Sequence, residues 1–170
     1  MLYSKSIPAL ILGLASMATA APTLETRTSL PEVIPGPGLP SLESLGLTSE
    51  ALYAMGKPES SPLGDDMSTM VEPRCGDSYG EVNAAIACYN YLRNLGQTPC
   101  TVGQGLRSQI MCRAGNIRIE GFGIGQSSWC EHVAHAVLWT IDHCTRNGYD
   151  TAGYEAAYGN GNLLIGTQAG

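Results

Sequence analysis

The chain is 170 residues long and carries fifteen acidic against nine basic side chains, a formal net charge of −6. That balance excludes a broad electrostatic footprint for nucleic acid or an anionic membrane surface. Six cysteines lie between Cys75 and Cys144, none in a Cys-x-x-Cys pair, so the usual signatures of a zinc site or a thioredoxin-like centre are absent. An even count in a short exported chain implies three disulfides instead.

Met1 to Ala20 reads as a secretory signal peptide. Lys5 supplies the positive start, Ile7 to Leu14 the apolar stretch, and Ala18-Thr19-Ala20 the small-residue cleavage site. The apolar run is too short to span a bilayer, so a secreted, extracellular protein without membrane insertion is expected. Residues 21–74 hold eight acidic and three basic side chains and are rich in proline. This composition predicts a disordered linker or pro-region, and cleavage after Arg74 stays open. Within it, Thr48 followed by Ser49 to Met55 has the form of a capped short helix whose Leu52 and Met55 are exposed unless they dock.

Residues 75–170 are expected to form a disulfide-stabilised α+β domain. Ser78-Tyr79-Gly80-Glu81 resembles a capping box. Beyond it Val82, Ala85, Ile86, Tyr89 and Leu92 recur at helical spacing up to Gly96. Thr98 to Val102 and Gln109 to Arg113 are short β-prone runs, and Ile117 to Glu120 alternates apolar with charged residues across the turn Ala114-Gly115-Asn116. After the second helix, Asn147-Gly148 predicts a turn, Ala152 to Tyr158 a strand with Tyr154 and Tyr158 on one face, and Leu163 to Thr167 the returning strand.

The second helix, Ser127 to Cys144, carries all three histidines and both tryptophans. At about 100° per residue, Cys130, Val133, Ala134, Val137, Leu138, Ile141 and Cys144 share one side. The other collects Glu131, His132, His135, Asp142 and His143 around Trp139, with Ser127 or Ser128 as the expected cap. Trp129 is expected against the neighbouring disulfide. This outward stripe is the first candidate site: an aromatic among histidines is suited to anchor a protein or glycan partner, in a pH-sensitive manner. The alternative is that the linker or a longer loop covers it. A metal site is not expected, because His143 lies three turns from His132 and the ligands do not converge.

The packing solution is an α/β-sandwich, an antiparallel sheet of four to five short strands with two antiparallel helices on one face. The spacings Cys75 to Cys88 and Cys130 to Cys144 nearly match, which suits two rungs between the helices. Antiparallel helices pair Cys75 with Cys144 and Cys88 with Cys130, leaving Cys100 with Cys112; parallel helices exchange the first two pairs. The antiparallel set is preferred.

The order of Cys88, Cys100, Cys112-Arg-Ala-Gly-Asn with its isoleucine-rich strand, Cys130-Glu-His, His143-Cys144 and the glycine-asparagine hairpin resembles small fungal killer toxins of the KP type and related cysteine-rich secreted effectors. The resemblance covers most of Cys75 to Thr167. It implies the same sandwich, favours the antiparallel pairing, and implies an activity exerted by binding rather than catalysis. Toxins of this kind are more basic and have more disulfides, and those thought to act on calcium channels depend on an exposed lysine near the central strands; the corresponding stretch here offers only Arg113.

The expected function is therefore a non-catalytic, killer-toxin-like or effector protein, a monomer. Its partner would be a protein or cell-surface component of a host or competitor cell. Trp139, His132, His135, His143 and Arg113 are the candidate binding residues, and no cofactor or metal is expected. The alternative is a small secreted ribonuclease using Glu120, Arg118 and the helix histidines, the residue types that phosphodiester cleavage needs.

Overall fold

In the computed structural model, which describes residues 29–59 and 71–170, regular structure begins earlier than composition suggests. Val33–Pro35 forms strand β1, a 3-10 turn follows at Glu43–Leu45, and Ser49–Ala54 forms helix α1. Thr48 caps α1 as its sequence predicts, its hydroxyl accepting the Ala51 N–H at 3.1 Å. Leu52 docks completely, whereas Met55 stays half exposed. The expectation of a disordered linker is thus corrected for residues 29–59. The segment lacks a core of its own, yet its scattered apolar residues, among them Val33, Leu42, Leu47 and Leu52, pack onto the core of the rest of the chain. Full burial of a side chain such as Leu52 contributes about 1.5–3 kcal/mol. The signal region and the linker positions 21–28 and 60–70 lie outside the described residues.

The chain continues with β2 (Arg74–Glu81), α2 (Val82–Asn94), β3 (Pro99–Thr101), β4 (Ser108–Ala114), β5 (Ile117–Phe122) and β6 (Ser127–Trp129). Helix α3 (Cys130–Cys144), β7 (Asp150–Ala157) and β8 (Asn160–Ala169) complete it. Six strands make one sheet in the order β1-β4-β5-β8-β7-β2, every neighbour antiparallel, and β3 pairs with β6 in a separate ribbon. The α+β architecture is as expected. The sheet is wider than four or five strands because β1 and β2 close its two edges.

Both long helices lie on one face. Ile117, Ile119 and Gly121 of β5 point toward them, and the intervening Arg118, Glu120 and Phe122 point away, as strand alternation requires. The helices run antiparallel: Arg93 near the end of α2 lies 3.7 Å from Glu131 at the start of α3, and the Glu131 N–H donates to the Gly96 carbonyl at 3.0 Å. The first segment covers the far side of α2. Asn90 Nδ2 donates to the Leu52 and Gly56 carbonyls at 2.9 and 3.1 Å, and the Tyr91 hydroxyl donates to the Pro40 carbonyl at 2.7 Å. Between sheet, α3 and this cover, every residue from Ala84 to Leu92 is buried.

Both helix starts differ from the sequence expectation. Ser78 is not a cap but part of β2, and α2 begins after Glu81, whose side chain makes no capping bond. The Glu81 N–H instead donates to Asn116 Oδ1 and the Val82 N–H to the Tyr149 carbonyl, both at 2.9 Å. Nor do Ser127 and Ser128 cap α3. They belong to β6, Trp129 stands at the cap position, and the Cys130 N–H donates to the Thr98 carbonyl at 2.9 Å. Helix ends need their first N–H groups satisfied, and here distant segments supply most of the acceptors.

The disulfides are Cys75–Cys144, Cys88–Cys112 and Cys100–Cys130. The first was expected; the pairs Cys88 with Cys130 and Cys100 with Cys112 are corrected, although the resemblance to killer toxins favoured them. Helical rise does not measure the distance from Cys75 to Cys88 across the start of the first helix, because Cys75 lies on β2. Cys88 sits a turn and more short of the α2 end that meets Cys130, and it faces β4. Cys130 meets Cys100 where the β3-β6 ribbon leads into α3.

Candidate functional site

Along α3 the outward stripe stays at the surface. Glu131, His132, His135, Trp139 and Asp142 are partly buried and His143 is exposed, so the first segment, lying over α2, does not turn the stripe into a second core. Lys57 from that segment only touches its margin, 2.5 Å from Asp142.

Two clusters share this face. Toward the C-terminal end, one turn apart on the helix, Trp139 and His143 stack with ring centroids 4.6 Å apart and planes inclined by 16°. The His143 Nδ1–H donates to the Trp139 carbonyl at 2.9 Å, which fixes the imidazole over the indole. Toward the N-terminal end, His132 and His135 flank Tyr158, their centroids 5.2 and 6.2 Å from its ring. Ser128 Oγ lies 3.5 Å from His132 Nδ1 and donates to the Tyr158 carbonyl at 2.9 Å. Burial lowers the His135 pKa, assisted by Arg93 and His132 and opposed by Glu131. His132 and His143 stand about 16 Å apart along the axis, at about 1.5 Å per residue. Among the described residues no group of three or more His, Cys, Asp or Glu side chains is arranged to hold a metal ion.

Arg113 does not join them. Its register partners are Ile34 of β1 and Arg118 of β5, which places it on the sheet face turned away from the helices. Tyr154 and Tyr158 also part company. A register break between Ala156 and Ala157 separates them, so Tyr154 lies against Phe122 while Tyr158 meets α3. Trp129, expected against a disulfide, is 43% exposed.

The helix-free face holds a polar network that sequence reasoning caught only in part. Arg118 Nε is 3.2 Å from Glu120 Oε2, which also accepts from Gln168 Nε2 at 3.2 Å; the Tyr154 hydroxyl donates to Gln168 Oε1 at 2.7 Å. The i, i+2 spacing flagged Arg118 and Glu120, but Gln168 carries no local signal, because its place beside them follows from the β5-β8 register. A cleft beside this network, over the paired strands β1 and β4, carries no local signal, because its β1 wall belongs to the proline-rich segment whose composition predicts a linker.

A family model described as a domain of unknown function (DUF8794) matches residues 71–169. No curated protein and no solved structure matches the chain.

Proposed function

The chain belongs to the DUF8794 family, and from that footing we propose that it is a secreted, non-catalytic binding protein of killer-toxin or effector type. Its partner is a component of a host or competitor cell. One observation carries the reading: Trp139, the larger of two stacked rings, stands on a solvent-reached helix face instead of in the core. A rigid aromatic pair of this kind offers contact area at little entropic cost, which is the character of an interface anchor. Three disulfides and, among the described residues, no helix long and apolar enough to cross a membrane are compatible with export. The ribonuclease alternative needs a histidine beside Glu120. The sheet stands between that carboxylate and the α3 histidines, and Glu120 is already engaged by Arg118 and Gln168.

The test is binding of fluorescently labelled protein to intact host or competitor cells. Trp139→Ala should weaken saturable binding by tenfold or more, on the order of an interface anchor, while the circular dichroism spectrum stays that of the parent. Undiminished binding by the variant removes α3 as the contact face. RNA cleavage that disappears in both Glu120→Gln and His132→Gln would replace the binding reading with the enzymatic one.

A further inference from the structure

On the sheet face opposite α3, a cleft of about 690 Å³ lies over the paired edge strands β1 and β4. Its volume lies within the range of small-molecule sites, about 300–1,000 Å³. Ile34, Pro35 and Pro37 form one wall, and Leu106 and Ile110 contribute from the other side. Ile34 and Leu106 are 50% and 48% exposed. Two large aliphatic side chains therefore leave half their surface in water at the same concavity, an arrangement that favours an apolar occupant.

The walls are held in place. Gln109 Nε2 donates to the Pro37 carbonyl at 3.1 Å, and the Gly36 N–H donates to the Met111 carbonyl at 2.9 Å. A Cβ on Gly36 would lie 2.1 Å from the Ile110 carbonyl oxygen, so only glycine permits this approach of the two backbones.

The polar lining is asymmetric. Glu120 is engaged by Arg118 and Gln168. Arg113 is exposed and makes no ion pair among the described residues. Of the two charged side chains in the lining, Arg113 is therefore the one without an ion pair among the described residues, in a chain whose net charge is −6. A guanidinium presents paired donors that match a carboxylate.

We propose that this cleft binds a small amphipathic carboxylate, with its aliphatic body against Ile34, Leu106 and Ile110 and its head on Arg113. Such a ligand could be a medium-chain fatty acid or the free C-terminus of a short aliphatic peptide; both present the same chemistry. The site is separate from the α3 face, so it stands or falls apart from the proposed function. It also draws one wall from residues 34–37, outside the stretch matched by the family model.

Calorimetric titration of the full exported chain with decanoate below its micellar range, and in parallel with a short peptide ending in Ile-Leu, tests the assignment. Saturable binding of either carboxylate is expected. Decanol and the amidated peptide should bind at least tenfold more weakly, and Arg113→Gln should lose at least tenfold for whichever carboxylate binds. Binding to decanoate alone identifies a lipid source and binding to the peptide alone a peptide source, each supporting the site. Failure of both to bind the parent protein, or equal binding by Arg113→Gln, overturns it. Trp139→Ala should titrate as the parent does, which keeps this result distinct from the cell-binding test.

Discussion

At the scale of single residues, protonation of His135 bears on stability. The His135 pKa is lowered from 6.5 chiefly by burial. In the unfolded chain the ring takes up a proton near its ordinary value, whereas in the folded protein it does so only at lower pH. Between the two values the unfolded state therefore binds more protons, and stability rises with pH. The contribution of the neutral ring is present in full above about 6.5 and is lost as pH falls through the window beneath that value. Arg93, Glu131, His132 and Tyr158 surround the ring, so the fall reports this site. We expect the thermal midpoint to drop between pH 7 and pH 5, and to drop less steeply in His135→Gln. Parallel profiles for the two proteins would show that His135 is not the titrating group.

Among the elements, α2 explains most of what the first segment does. Its residues are apolar nearly all round, and a helix of that kind must be covered on every side. The sheet and α3 cover part of it, and α1 with its neighbours covers the remainder. Asn90 fastens the cover by donating to two carbonyls at the end of α1. Asn90→Ala should reduce stability by about 1–3 kcal/mol, the range for leaving buried acceptors unpaired, in urea unfolding. Faster amide exchange should appear first in residues 49–56; a loss spread evenly over the sheet would argue against a role in docking. This cover was legible in part. Thr48 announced α1 and the turn Ala114-Gly115-Asn116 announced the β4-β5 hairpin, because each depends on neighbours a few residues away. Strand β1 did not announce itself, since three residues become a strand only through the edge that β4 offers. The capping-box reading of Ser78 failed for the same reason: the acceptors at the start of α2 come from Asn116 and Tyr149. In the candidate site, Trp139 and His143 were legible as helical neighbours. The far position of Arg113 was not, because it depends on strand pairing across the shift between Ile110 and Cys112.

Across the whole molecule, the three disulfides tie different layers. Cys75–Cys144 joins edge strand β2 to the end of α3, Cys88–Cys112 joins α2 to the sheet, and Cys100–Cys130 joins the ribbon to the start of α3. None reaches residues 29–59, which hold by packing, hydrogen bonds and the Lys57–Asp142 ion pair. Replacing both Cys88 and Cys112 by alanine should lower stability by about 2–5 kcal/mol, the range for a small exported domain, in the same urea assay. A negligible change would mean that the packing of α2 on β4 suffices without the bridge. Strand β8, the last in sequence among the described residues, lies between β5 and β7 in the sheet. As the polypeptide emerges during synthesis, β4-β5 and the β2-β7 pair have no common partner until residues 160–169 arrive. All six cysteines, the last at Cys144, precede that strand in the chain. Any disulfide closed before β8 joins the sheet is therefore closed without the full template that sets the native partners. Disulfides closed that early reach the native pairing only by thiol–disulfide exchange, a process of seconds to hours that depends on oxidant and isomerase.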